Sequence, residues 1–246
     1  MFRQLIRQLV GRPATHANTP AIPAGVPEGS SLAPKWLVFN ILEDNAQPVE
    51  VLDIGFGTGG LAHLIKDNPE TTHWQIDGID GWEVNCNNAE LLAKKLYRNI
   101  RHGLAQEMSA EQLGSYKIIC LLDVIEHLER DMARELLRML LTNLGAESYL
   151  FISTPLWFFP QDSRQAGDLE AHLIGVPASS MMALCPLMYA VNEPLIGGFV
   201  LDKSSLDFIE FFQPTSDKSF NIDKGFRIIQ MINMNHQTGV LTRRTG

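Results

Sequence analysis

PVEVLDIGFGTGG, residues 48–60, decides the fold. Its first eight residues form a short, mostly apolar run that stops at Gly55, the length and composition of a buried strand. Gly55, Gly57 and Gly60 satisfy the GxGxxG spacing, so the backbone can turn tightly and approach a ligand with no side chain in the way. GLAHLIKDN, residues 60–68, then reads as a helix closed by Asn68-Pro69. A strand, a glycine loop and a helix in that order open a nucleotide-binding α/β unit, and on the glycines alone a nicotinamide or flavin dinucleotide fits as well as any other nucleotide. Asp53 separates the alternatives. It stands two residues before the first glycine, where a dinucleotide-binding strand carries an apolar residue, and a carboxylate there suits an ammonium group and repels a pyrophosphate.

Downstream of this unit, strands and helices alternate. HWQIDGID (73–80) reads as a second strand, followed by a helix near 83–97 and a short strand near 99–103. YKIICLLD (116–123) is a fourth strand, 128–144 a long helix and SYLFISTP (148–155) a fifth strand. Apolar strands with helices between them predict a parallel sheet covered on both faces. Upstream, Leu32, Trp36, Leu37 and Ile41 suggest a helix over about 31–44.

The second informative acid is Asp80, at the tip of the second strand and 20 residues after Gly60. From that position a carboxylate can accept the hydroxyls of an adenosine ribose. Asp77, mid-strand, is its competitor. Trp82 either lies against a purine face or packs at a helix start. A third block, CLLDVIEHLE (120–129), places Asp123 at the fourth strand's tip and Glu126 and His127 just before a helix.

Taken in order, VLDIGFGTGG, GIDGWE, YKIICLLDVIEHL and LFISTP resemble the class I S-adenosylmethionine-dependent methyltransferases, in particular the subgroup with IEHL after strand four and Ser-Thr-Pro after strand five. The resemblance covers about residues 35–155. It implies a Rossmann-like three-layer sandwich around a mostly parallel seven-stranded sheet with its last strand antiparallel, and S-adenosylmethionine as cofactor. By position it implies that Asp53, Gly55, Gly57 and Gly59 shape the pocket for the donor's methionine part. Asp80 would bind the ribose, and Asp123 would lie near the amino end. The sequence departs from the family at HGLAQ (102–106), where Leu104 stands in place of an acid near the adenine, leaving backbone groups or Gln106 to serve. The family further implies that DFIEFF and FRIIQMINM, within 207–242, supply the last two strands, and that residues 35–246 form one methyltransferase domain with a substrate cap inserted at about 156–200.

Methyl transfer from a sulfonium asks mainly for alignment and desolvation. A general base is needed only for a weakly acidic acceptor. His127 is the candidate base; its other reading is a histidine that holds the loop by hydrogen bonds. His172 falls in the region expected over the acceptor. MMALCPLMYAV (181–191) is too short to span a bilayer. It reads either as a lid over a hydrophobic acceptor or a membrane-facing patch, or as a buried helix or dimer contact.

Composition narrows the partners. The chain carries a net charge of −8, yet residues 1–27 hold three arginines and residues 224–246 four basic residues, both without an acid, which leaves the middle at −15. So acidic a middle repels a phosphate backbone, and neither Pro-Cys nor Asn-Pro-Pro-Tyr stands where a nucleic-acid base methylase needs it. A small-molecule or hydrophobic acceptor fits better. Three scattered cysteines point to a reducing, cytoplasmic setting, and the absence of clustered Cys/His spacing gives no metal site. MFRQLIRQLVG (1–11) patterns as a basic amphipathic helix, joined by a proline-rich linker through residue 34. It suits peripheral membrane contact, a targeting peptide or docking on the domain itself. The rival functions are a dinucleotide-dependent oxidoreductase and a non-catalytic scaffold of the same fold.

Overall fold

The computed structural model describes residues 33–163, 165, 167–192, 196–217 and 242–243. The expectations for residues 1–32 and for FRIIQMINM lie outside them. Strands β1 (Glu50–Ile54), β2 (Gln75–Asp80), β3 (Asn99–His102), β4 (Ile118–Leu122) and β5 (Tyr149–Pro155) pair in parallel in the order 3-2-1-4-5. Beside β5, the hairpin of β6 (Met188–Asn192) and β7 (Ile196–Leu201) completes a seven-stranded sheet with β7 antiparallel to β5. The two-residue β8 (Thr242–Arg243) pairs on β6 at the edge. All five residues of β4 are buried, as continuous apolar patterning requires of a strand covered on both faces.

Helices close both faces. On one side α1 (Gly60–Asp67) packs with a 3-10 helix, Lys35–Asn40, over Val51, Trp74, Ile76 and Phe151. The expected helix over 31–44 is thus a six-residue 3-10 segment. Between β2 and β3 the expected single helix is two, α2 (Glu83–Cys86) and α3 (Ala89–Lys94). Asn88 caps α3 through its side chain by accepting from the Glu90 and Leu91 amides, which starts a new helix there. The short α4 (Ala110–Gly114) precedes β4 and was not expected. On the opposite face α5 (Arg130–Asn143) buries Ala133, Leu136, Leu137, Leu140 and Leu141, a stripe at helical spacing.

Two expectations after β5 are corrected. MMALCPLMYAV is neither a lid nor one helix. Its start belongs to α6 (Ala178–Met182), Cys185 turns with φ 51°, and the rest becomes β6. Met181, Leu184, Met188 and Ala190 are buried, so the apolar run is core. Among the described residues, the antiparallel pair β6–β7 comes from 188–201, largely inside the stretch assigned to a substrate cap. DFIEFF instead falls in a 3-10 helix, Lys203–Phe211, whose Ile209 packs into the core beside α5. At Gly198 a Cβ would lie 2.6 Å from Pro34 and 3.2 Å from Phe151, so the pair Gly197-Gly198 lets β7 run close under its neighbours.

The chain leaves β1 toward β2 and β3, then returns to the other side through β4 and β5. That reversal opens a crevice at the carboxyl ends of β1 and β4, where ligands bind in open α/β sheets. Gly59 sits on its rim with φ 79°, and an added Cβ would meet Leu91 Cδ2 at 2.5 Å. Gly59→Ala is therefore expected to destabilise the protein by about 1–2 kcal/mol through backbone strain and the clash, read as a lowered urea midpoint at unchanged slope.

Candidate functional site

A cavity of about 170 Å³ lies in that crevice. Gly55 and Gly57 form its floor, Asp80, Gly81, Trp82 and Asn85 one side, Gly103 to Gln106 another, and Asp123, Val124 and His127 the third. Leu169 and Glu170, from the segment after β5, overhang it. A larger cleft of about 430 Å³ lies outside, along α2, α3 and β3, but no glycine loop or acidic strand tip lines it. The chemistry converges in the smaller one.

The glycine loop is built for close approach. Gly55 and Gly57 have φ 67° and 54°, and no atom lies within 4 Å of where a Gly57 Cβ would stand. Asp80 fixes the loop in place. Its Oδ2 accepts from the Gly57 amide at 2.9 Å and from Asn85 Nδ2 at 3.1 Å, and its Oδ1 accepts from the Trp82 amide at 2.8 Å. One carboxylate therefore ties the glycine loop to the β2 tip, with a single acceptor direction left over. Asp77, its competitor, is held by Arg98, Asn99 and Tyr116. Burial raises its pKa, but the hydrogen bonds, that from Arg98 foremost, outweigh burial and keep it below the usual carboxylate range.

Asp53 does not line the cavity. It is 2% exposed beneath the glycine loop and accepts from the Tyr97 hydroxyl at 2.8 Å. Burial lifts its pKa to about 7, opposed by Tyr97 and by Lys35. The expected open carboxylate facing the ligand is thus a covered one. Gly59 likewise packs on Leu91 rather than on the cavity. The other predicted donor residues, Gly55, Gly57, Asp80, Trp82, Leu104 and Asp123, all line it.

Lys35 carried no motif. Its ammonium lies beside Gly60, where a Cβ would stand 3.5 Å from Nζ; burial lowers its pKa, and the charges of Asp123 and Asp53 oppose that. Only the fold brings the 3-10 helix there, and no sequence signal marked it.

Asp123 adopts φ 53°, the left-handed region, at the tip of β4. Its Oδ1 accepts from Ser153 Oγ at 2.9 Å, while its buried Oδ2 has no hydrogen-bond partner. Burial raises its pKa to about 6. Glu126, 2% exposed, accepts from Thr154 Oγ1 at 3.0 Å and keeps Oε1 without a partner; burial and Asp123 push it well above the carboxylate range. His127 lies on the cavity wall with Nδ1 3.2 Å from the Ala171 carbonyl, and its ring meets that of His172 with centroids 4.7 Å apart. Burial keeps both imidazoles neutral, lowering His172 to about 4. Sequence spacing missed this grouping because His172 arrives from beyond β5.

A parallel sheet of order 3-2-1-4-5 with an antiparallel β7, together with a glycine loop and acids at the tips of β2 and β4, defines a class I methyltransferase domain. The model of the methyltransferase domain family matches residues 31–181, more than half of the chain, and the chain belongs to that family. S-adenosylmethionine is the methyl donor of the class. No curated protein matches the sequence. Among solved structures, the PH0226 protein of Pyrococcus horikoshii is 19% identical over 49% of this chain and 50% of its own, with a TM-score of 0.40, so the chain spans about half its length. The N-terminal domain of EvdMO1, crystallised in the presence of SAH and D-fucose, is 13% identical over 68% of this chain and 78% of its own, with a TM-score of 0.48. YcgJ of Bacillus subtilis is 22% identical over 52% of each chain, with a TM-score of 0.37.

Two outcomes follow. Asp80→Ala removes the anchor of three protein donors, so it is expected to destabilise the ligand-free protein by about 1–3 kcal/mol, which denaturant unfolding without ligand measures. Asp53 binds its proton more tightly folded than unfolded, so its contribution to stability is present at low pH and is lost as pH rises from about 4 to 7. Comparing wild type with Asp53→Asn over that window should show wild type losing about 2–4 kcal/mol relative to the variant. The groups facing Asp53 are Tyr97, Lys35, Asp80 and Cys120, and all are kept in both proteins.

Proposed function

We propose that the chain transfers a methyl group from S-adenosylmethionine to a small, hydrophobic acceptor, with Asp80, Trp82, Leu104 and Asp123 holding the donor. The observation that carries this reading is the meeting of unlike groups around one cavity: bare backbone at Gly57, a carboxylate at Asp80, exposed apolar side chains at Leu104 and Leu169, and an unpartnered buried oxygen on Asp123. They match the donor's parts. The open floor admits a close-lying chain, Asp80 keeps one acceptor direction for a ribose hydroxyl, and Trp82, Leu104 and Leu169 offer apolar surface to a purine. Asp123 Oδ2 supplies the acceptor that an ammonium group needs.

When bound, S-adenosylmethionine supplies an electrophilic methyl carried on a sulfonium. This chain's residues align and dehydrate that group. Leu169 and Glu170 overhang the cavity, and the backbone amides of Leu173 and Ile174 donate to the Glu126 carbonyl at 2.8 and 3.2 Å, fixing the overhang to the loop after β4. Water is thereby kept from one side of the reacting centre. His127, which lines the cavity, would receive a proton from a hydroxyl acceptor on the ring nitrogen opposite Nδ1 while no cation holds that nitrogen. The acidic middle of the chain supports a small acceptor over nucleic acid. Its three unpaired cysteines fit a reducing, cytoplasmic setting, and no helix among the described residues is long and apolar enough to cross a membrane. Peripheral contact through residues 1–11 remains part of the proposal.

Ligand-dependent melting tests the donor. S-adenosylhomocysteine at about a hundredfold excess over its Kd should stabilise the protein by about 2.7 kcal/mol, and NAD should leave it unchanged. Stabilisation by NAD alone would return the chain to the oxidoreductases, and stabilisation by neither would favour a scaffold.

A further inference from the structure

Beside the donor cavity, three groups with lone pairs converge. One carboxylate oxygen of Glu126 and one ring nitrogen each of His127 and His172 lie within 4.8 Å of one another, and Glu126 and His172 are 2% and 7% exposed. We propose that Glu126, His127 and His172 form a binding site for a divalent first-row transition-metal cation, whose remaining coordination positions face the acceptor end of the cavity.

The surroundings of each ligand support it. His172 Nδ1 lies 2.6 Å from the Phe159 carbonyl and His127 Nδ1 3.2 Å from the Ala171 carbonyl. A neutral imidazole that donates from Nδ1 to its carbonyl keeps the lone pair on Nε2, which is the tautomer of His172 and His127 that a cation would select; the His127 ring also lies against the Glu170 and Asp123 carbonyls. Backbone carbonyls orienting ligand histidines in this way are the usual outer shell of a metal site. Glu126 is buried with Oε1 unpartnered, a costly arrangement for a carboxylate unless a cation completes it. The site needs no new fold to close, because the Glu126 carbonyl already accepts from Leu173 and Ile174 and the His172 amide donates to the Gln161 carbonyl at 2.9 Å. Two neutral imidazoles and a carboxylate suit zinc, iron, cobalt or manganese better than magnesium or calcium, which prefer all-oxygen shells. Three protein ligands leave positions open for water or an acceptor oxygen. His127 belongs to both the cluster and the cavity wall, so a cation held there would lie beside the cavity, with its open positions on that side. That last step rests on the methyltransferase reading; binding of the cation does not.

The test uses the full chain stripped with a chelator and dialysed. Titrated calorimetrically with Zn²⁺, it should take up one ion, and with Co²⁺ it should develop visible absorption of a low-coordinate site. Glu126→Gln and His172→Ala should each weaken Zn²⁺ binding by at least about tenfold, while S-adenosylhomocysteine affinity measured on the same preparations stays unchanged and reports an intact fold. Zinc X-ray absorption on the wild-type protein gives a readout that no substitution can spoil: imidazole scattering from two histidines is expected. Uptake of no ion, an ion without histidine scattering, or binding that both folded variants retain would overturn the proposal. Zn²⁺ binding without any S-adenosylhomocysteine binding would sink the donor reading and leave the cation site standing.

Discussion

The site depends on the carboxylate of Asp80. A loop of glycines with positive φ has little reason of its own to stay in one shape, since glycine loses the most conformational freedom on folding. By accepting from the Gly57 and Trp82 amides and from Asn85, Asp80 converts two adjacent strand tips and the loop between them into one rigid edge. The floor of the cavity and its wall at Trp82 are thereby positioned by a single group. Because that group is 6% exposed, solvent competes little for its hydrogen bonds.

Three carboxyl groups besides Asp80 crowd this edge. Asp53 and Glu126 are buried, Asp123 is half-buried with its Oδ2 out of solvent, and desolvation raises the pKa of each. Lys35 and the Tyr97 hydroxyl offset Asp53, Ser153 and Lys35 offset Asp123, and Thr154 offsets half of Glu126. Two oxygens remain unpartnered, on Asp123 and Glu126. They divide the cavity's surroundings into two electrostatic demands: one at Asp123, which in the proposed reading a ligand ammonium would meet, and one at Glu126, which the cluster with His127 and His172 would meet with a cation.

The sequence made the first half of the chain readable because local and long-range signals agree there. VLDIGFGTGG is strand, turn and helix start at once, and Asp80 and Asp123 stand where apolar runs end. After Pro155 that agreement fails. An eleven-residue apolar run has no helical or strand period, so only the turn at Cys185 in the folded chain shows where α6 gives way to β6. DFIEFF has strand composition, yet it follows Asp202, whose side chain caps the Ser204 amide and starts a 3-10 helix. At the site, residue identities were legible and side-chain directions were not. Asp53 faces inward to Tyr97, and Lys35 and His172 enter from elements that sequence spacing cannot place beside β4.

The claim at the centre of this account is that the donor occupies the crevice between the tips of β1, β2 and β4. Hydrogen–deuterium exchange with and without saturating S-adenosylhomocysteine addresses it directly, since protection reports which backbone amides a ligand covers or stiffens. The account predicts new protection in residues 54–60, 79–85, 103–107 and 123–128. Protection confined to the outer cleft along α3 and β3, residues 91–102, would contradict it.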